Sequence, residues 1–126
     1  MIRAVRSPDC GNSPKNRFVQ ELAIALARPQ AALVARCVSD DVRWRILGQT
    51  ELAGRSVVIQ HLRRRRAPDL AQIVIHHVAT HGTTGCVDGT LEFRRRSPGH
   101  FCDVYEFTSA KGNCVRSIKS YVVQGK

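Results

Sequence analysis

From Leu70 onward the chain alternates apolar and polar side chains with a period of two, in four stretches near 72–81, 85–95, 101–108 and 114–123. Alternation of that kind places successive side chains on opposite faces of a strand, one face buried and the other wet. Short segments around Gly82, Ser97-Pro98-Gly99 and Lys111-Gly112-Asn113 separate the stretches, and they are made of the residues that turns need. A connection that short returns the chain beside the strand it has just left. The C-terminal half therefore predicts an antiparallel four-strand meander, with one apolar face that another layer must cover.

The N-terminal half supplies that layer. Ser13-Pro14 is a helix start, because the hydroxyl caps free amides and proline is tolerated in the first turn. Phe18, Leu22, Ala25 and Leu26, with Val19 and Ala23, then form one apolar stripe. Pro29 ends this helix and opens a second, running through Ala32, Leu33, Ala35, Arg36 and Val38 to Ser39. Val42-Arg43-Trp44-Arg45-Ile46 alternates as a strand with Trp44 pointing inward. Gly48 and Gly54 bracket a turn, and Val57, Val58, Ile59 and Leu62 predict a third helix that ends in the arginine run before Pro68. Residues 1–12 show no periodicity and read as a flexible arm, which leaves a single domain over 13–126. The order is helix, helix, strand, helix and meander, an α+β class with no internal repeat.

A chain of 126 residues has the length of one domain, and 43% hydrophobic residues are enough for a core without metals or disulfides. No apolar run reaches the ~18 residues of a membrane span, and the polar opening lacks the apolar centre of a secretion signal, so a cytoplasmic protein is expected. The five cysteines have no C-x-x-C spacing and are read as reduced thiols. Lys and Arg number 20 against 10 Asp and Glu, yet seven arginines fall in two runs, Arg63–Arg66 and Arg94–Arg96. Both runs sit at exposed places, a helix end and a hairpin tip, and with 6% aromatic residues there is little left for base stacking. They are read as a solvated surface, with nucleic-acid binding at most weak and nonspecific, or as a rim that attracts an anionic small substrate.

Against this background the sequence resembles the nuclear transport factor 2-like superfamily, and within it the SnoaL-like domains, over about residues 14–123. The resembling stretches are Asp40-Asp41-Val42-Arg43-Trp44 with Gly48, Leu52-Ala53-Gly54-Arg55, His81-Gly82 to Gly85, Phe101-Cys102-Asp103-Val104-Tyr105-Glu106-Phe107, and Ile118-Lys119-Ser120-Tyr121-Val122-Val123. The resemblance implies a cone-shaped barrel: three N-terminal helices packed on a strongly curved, mostly antiparallel sheet around an internal pocket, commonly as a dimer. The family includes ketosteroid isomerases, polyketide cyclases, epoxide hydrolases and dehydratases, together with non-catalytic binding modules.

Register estimated from the turns sorts the polar side chains between the two faces. Centring the hairpins on Thr83 and on Ser97-Pro98-Gly99 opposes Phe93 to Asp103, Leu91 to Tyr105, His77 to Gly89 and Ile75 to Leu91. One face then gathers His77, Phe93, Phe101, Asp103, Tyr105 and Phe107 with aliphatic neighbours. Asp103 on such a face loses hydration, which raises its pKa and suits a general acid or base. Tyr105, about 7 Å further along the same face, is placed to donate a hydrogen bond to a ligand oxygen. The structural alternative is an ion pair of Asp103 with an arginine or Lys119, and Tyr105 as packing. His77 stands on the order of 15 Å from Asp103, too far for a dyad, and is read as a second ligand contact or a core histidine. Trp44 is read as core or as pocket wall. Asp40 and Asp41 are read as loop caps.

No phosphate loop, nucleophile motif or zinc spacing is present in the sequence, so neither cofactor nor metal is expected. The expected function is a pocket for a small apolar or weakly anionic organic ligand, with isomerase, cyclase or dehydratase chemistry through Asp103 and Tyr105. Trp44, His77, Phe93, Phe101 and Phe107 would line it. A non-catalytic binding or interaction module of the same fold is the alternative. The outward face, with Val74, His76, Val78, Cys102 and Val104, predicts a sheet-to-sheet homodimer.

Overall fold

A computed structural model describes residues 1–124. The last two positions of the domain expected over 13–126 lie outside the described residues. Helix α1 (Pro14–Ala27) begins where the sequence places it, with the Ser13 hydroxyl accepting from the Asn16 amide. Helix α2 (Ala31–Cys37) stops two residues short of the expected Ser39, because Val38 already opens strand β2 (Val38–Ile46) and pairs with Val115. Helix α3 (Arg55–Arg64) follows a short strand, β3 (Thr50–Ala53), in place of the turn expected between Gly48 and Gly54. All but one of β3's side chains are exposed, so no alternation betrays it; its pairing with β2 defines it.

The meander is present as β4 (Leu70–His81), β5 (Thr84–Phe93), β6 (Gly99–Phe107) and β7 (Val115–Gln124). Residues 1–12 are not a free arm. Strand β1 (Arg3–Val5) pairs in parallel with Gln72–Val74, a 3-10 helix spans Pro8–Cys10, and Cys10 is buried. Polar contacts hold the segment: the Ser7 amide donates to Gln20 Oε1 at 2.7 Å, the Ser7 hydroxyl to the His76 carbonyl at 2.9 Å, the Val78 amide to Asp9 Oδ2 at 3.4 Å, and Arg6 pairs with Glu21 at 2.7 Å. A segment docked through backbone and side-chain polar groups need not carry a hydrophobic period, which is why the sequence hid it.

Among the described residues the sheet has seven strands in the order β1-β4-β5-β6-β7-β2-β3. It is mostly antiparallel, with parallel pairs only at β1–β4 and β2–β7 among the described residues. It is not closed, so the expected barrel is an open curved sheet whose edges, β1 and β3, do not meet. Helix α1 packs on β4 and β5, α3 on β2, and α2 lies against both helices. Val19, Leu22, Ile73, Val87, Tyr105, Phe107 and Ile118 form the centre of the core, each at most 1% exposed. Among the described residues no helix is long and apolar enough to cross a membrane.

One irregularity in β4 decides which side chains face inward. Ile75 pairs with Gly89, but His77 pairs with Asp88, so one extra residue is inserted between them. Such a bulge bends the strand and inverts the alternation beyond it. Gly89 sits at the bend, and a Cβ there would collide with the Val74 carbonyl oxygen and come within 2.9 Å of the Phe101 ring. The bend brings β4 over β5 so closely that position 89 admits no side chain.

Candidate functional site

Asp103 lies inward on β6, 6% exposed, with Val87 beside it on β5 and Ser120 on β7. Tyr105, two residues along the same face and fully buried, donates its hydroxyl hydrogen to Asp103 Oδ2 at 2.9 Å. Ser120 accepts from Trp44 Nε1 at 2.9 Å and turns its own hydroxyl to Asp103. Trp44 comes from β2, which runs parallel to β7 so that Ile46 neighbours Ser120. A chain of donors thus converges on one carboxylate. No arginine or lysine pairs with Asp103 among the described residues.

Burial pushes the Asp103 carboxyl up to about 6, against the opposing pull of the hydrogen bonds from Ser120 and Tyr105, which favour the anion. The Tyr105 hydroxyl is held well above its ordinary value, first by burial and then by the neighbouring Asp103 charge. Asp103 therefore changes charge near neutrality while Tyr105 stays a neutral donor.

Asp103, Ser120 and Trp44 border a cavity of about 230 Å³. Leu26, Ile73, Leu91 and Phe101 supply apolar walls, from α1, β4, β5 and β6. His61 and Arg65 enter from the α3 side, and Gln49 from the β2–β3 turn. The His61 ring stands edge-on to Trp44, with centroids 5.5 Å apart at 87°. Burial, and then the Arg65 charge, lower the His61 pKa below its ordinary value.

The structure brings together three of the residues anticipated from sequence, Asp103, Trp44 and Phe101. Tyr105 touches Asp103 and does not border the cavity, so its hydroxyl serves the carboxylate rather than a ligand oxygen. His77 is corrected outright. The β4 bulge turns it to the outer face, where its side chain is 78% exposed and Nδ1 stands 3.0 Å from Asp88. Phe93 pairs with Leu70 beyond the cavity and carries the Arg96 guanidinium 3.9 Å from its ring centroid. Phe107 lies at the opposite end of β6, packed on Phe18 with centroids 5.9 Å apart. Neither Phe93 nor Phe107 borders the cavity; Phe101 and the α1 side chains face it together with the Asp103 carboxyl.

Three residues escaped the sequence reading. Ser120 was legible from alternation in β7 but needed the β6–β7 register to meet Asp103. His61 and Arg65 carry a plainer signal, because Val58, His61, Leu62 and Arg65 follow the spacing of a single helix face. The arginine run is accordingly split: Arg63, Arg64 and Arg66 are exposed, whereas Arg65 turns to the cavity and is only partly exposed.

The sequence pattern of the SnoaL-like domain matches residues 18–117. No curated protein matches the sequence. Among solved structures, an LEH-like epoxide hydrolase from M. tuberculosis aligns with TM-score 0.68 at 19% identity, covering 86% of this chain and 81% of that one. A provisionally assigned ketosteroid isomerase from Kribbella flavida aligns with TM-score 0.73 at 12% identity, over 89% and 79% of the two chains. An NTF-2-like protein of unknown function from Burkholderia xenovorans aligns with TM-score 0.72 at 12% identity, over 89% and 84%. At these identities the structures establish a shared fold, and the family match spans most of the chain: the protein belongs to the SnoaL-like domain family, within the NTF2-like fold.

Proposed function

We propose that the cavity binds a small, largely apolar organic molecule and that Asp103 moves a proton to or from it, as in isomerisation, cyclisation or dehydration. The observation that carries this reading is the buried Asp103 carboxyl on the cavity wall, raised to about 6 and without a cationic partner among the described residues. An acid poised near working pH transfers protons in both directions with little driving force lost. Tyr105 and Ser120 orient the carboxylate and steady its charge, which makes them positioning residues. That an epoxide hydrolase and a provisionally assigned isomerase share the fold supports proton-transfer chemistry as its use here.

A ligand-binding module without catalysis is the second reading. It is favoured by the commitment of the Tyr105 hydroxyl to Asp103 rather than to the cavity. Incubation in D2O with a panel of small β,γ-unsaturated ketones and small epoxides separates the two. Deuterium incorporation or ring opening that is lost in Asp103→Asn supports catalysis. Binding that survives in Asp103→Asn with no turnover by the wild type supports the module.

A further inference from the structure

Arg65 is a partly buried cation that no carboxylate among the described residues neutralises. Its Nη2 donates to the Leu26 carbonyl near the C-terminal end of α1, where the helix dipole offers partial compensation. Its Nε is buried without a hydrogen-bond partner, and no ion pair holds the guanidinium among the described residues. Asp103 borders the same cavity, where it accepts from Tyr105 and Ser120, and makes no ion pair with Arg65 among the described residues. A positive group taken from water without a counterion is disfavoured, and burial holds the Arg65 pKa below its ordinary value accordingly. Beside it stands His61, whose lowered pKa leaves a neutral ring able to donate one hydrogen bond.

We propose that the cavity is built for a small organic carboxylate, with Arg65 and His61 holding the charged end, the apolar walls holding an aromatic or alicyclic body, and Asp103 facing that body from the sheet. This rests on the reading of the cavity as a ligand site and names the substrate class. The planar fork of a guanidinium matches a carboxylate, which supplies the missing counterion. The volume of about 230 Å³ lies below the roughly 300–1,000 Å³ usual for drug-sized ligands, so the molecule is small. A bound anion would also favour the protonated form of Asp103, keeping it an acid at neutral pH.

The test titrates the full chain with benzoate, phenylacetate and cyclohexanecarboxylate, and in parallel with the three corresponding primary amides, following the His61 ring by NMR. The acids are expected to bind at least tenfold more tightly than the amides and to raise the His61 pKa. Arg65→Met should abolish that preference while leaving amide binding in place, whereas Arg64→Met at the exposed neighbour should keep it. Should Arg65→Met not fold, Arg65→Lys serves instead, and it should weaken the acids about tenfold and the amides not at all. Acids and amides binding alike, or a preference that survives at Arg65, would overturn the carboxylate assignment and leave the ligand site standing. Failure of both series to bind would remove the ligand site as well.

Discussion

Tyr105 donates to Asp103 across 2.9 Å from two residues along the same strand, and both side chains are buried. Residues so spaced on β6 share a face, so the donor is delivered by the strand itself. The carboxylate is thereby oriented by the core, and its other side is left to the cavity. Phe101, two residues in the opposite direction, is the apolar wall. One strand thus carries wall, acid and positioning donor in sequence.

The raised pKa of Asp103 makes stability depend on pH in a defined direction. The folded state holds the proton more tightly than the unfolded chain, so the stabilisation is present below the unfolded value of 3.8 and is lost as pH rises to about 6. Two pH units correspond to about 3 kcal/mol. Denaturant melts of wild type and Asp103→Asn should show their stability difference shifting by about that amount between pH 3.5 and 7.5, with the wild type favoured at the acid end. A difference independent of pH would mean that Asp103 titrates normally.

Tyr105→Phe removes a hydrogen bond that the ionised Asp103 accepts. The Asp103 pKa, read by carboxyl NMR, should then rise above its wild-type value. Stability should fall by roughly 1–3 kcal/mol at pH 8, where the bond is charge-assisted, and by less at pH 5. An unchanged pKa would show that the bond does not persist in solution.

Gly89→Ala tests the bend of β4 over β5. The added Cβ meets the Val74 carbonyl, a backbone atom that cannot swing aside. A loss of roughly 3 kcal/mol or more is expected in thermal or denaturant melts, the size of other severe overpacking effects. A near-neutral result would mean that the sheet is less tightly bent at this point.

The outer sheet face carries exposed Tyr121 and Val123 around Cys102, and we propose that a second copy of the chain covers it. Sedimentation velocity at micromolar concentration should show a dimer, and Tyr121→Lys should shift it towards monomer. A wild-type monomer under those conditions would dispose of the idea.

The meander, the three helices and the inward set on β6 were legible because each depends on alternation or helical spacing within one element. The assumed β5–β6 register opposed Phe93 to Asp103, whereas Asp103 pairs with Val87. That slip is an even number of residues, so Phe101, Asp103 and Tyr105 kept their face even though their neighbours changed. His77 had no such protection. A single inserted residue in β4 reverses every side chain beyond it, and whether the strand bulges there is settled by the contact of its backbone with Gly89 and by the docking of Ser7 and Asp9 against it. Arg65 likewise looked like its neighbours in a charged run. The helix spacing puts it on the Val58–Leu62 face, but only the packing of α3 over β2 decides that this face closes a cavity and leaves a cation there without a counterion among the described residues. Local order is written in periods that a strand or helix carries alone, whereas burial, register and charge compensation arise between elements distant in sequence, where the energies of competing arrangements are compared only in the folded chain.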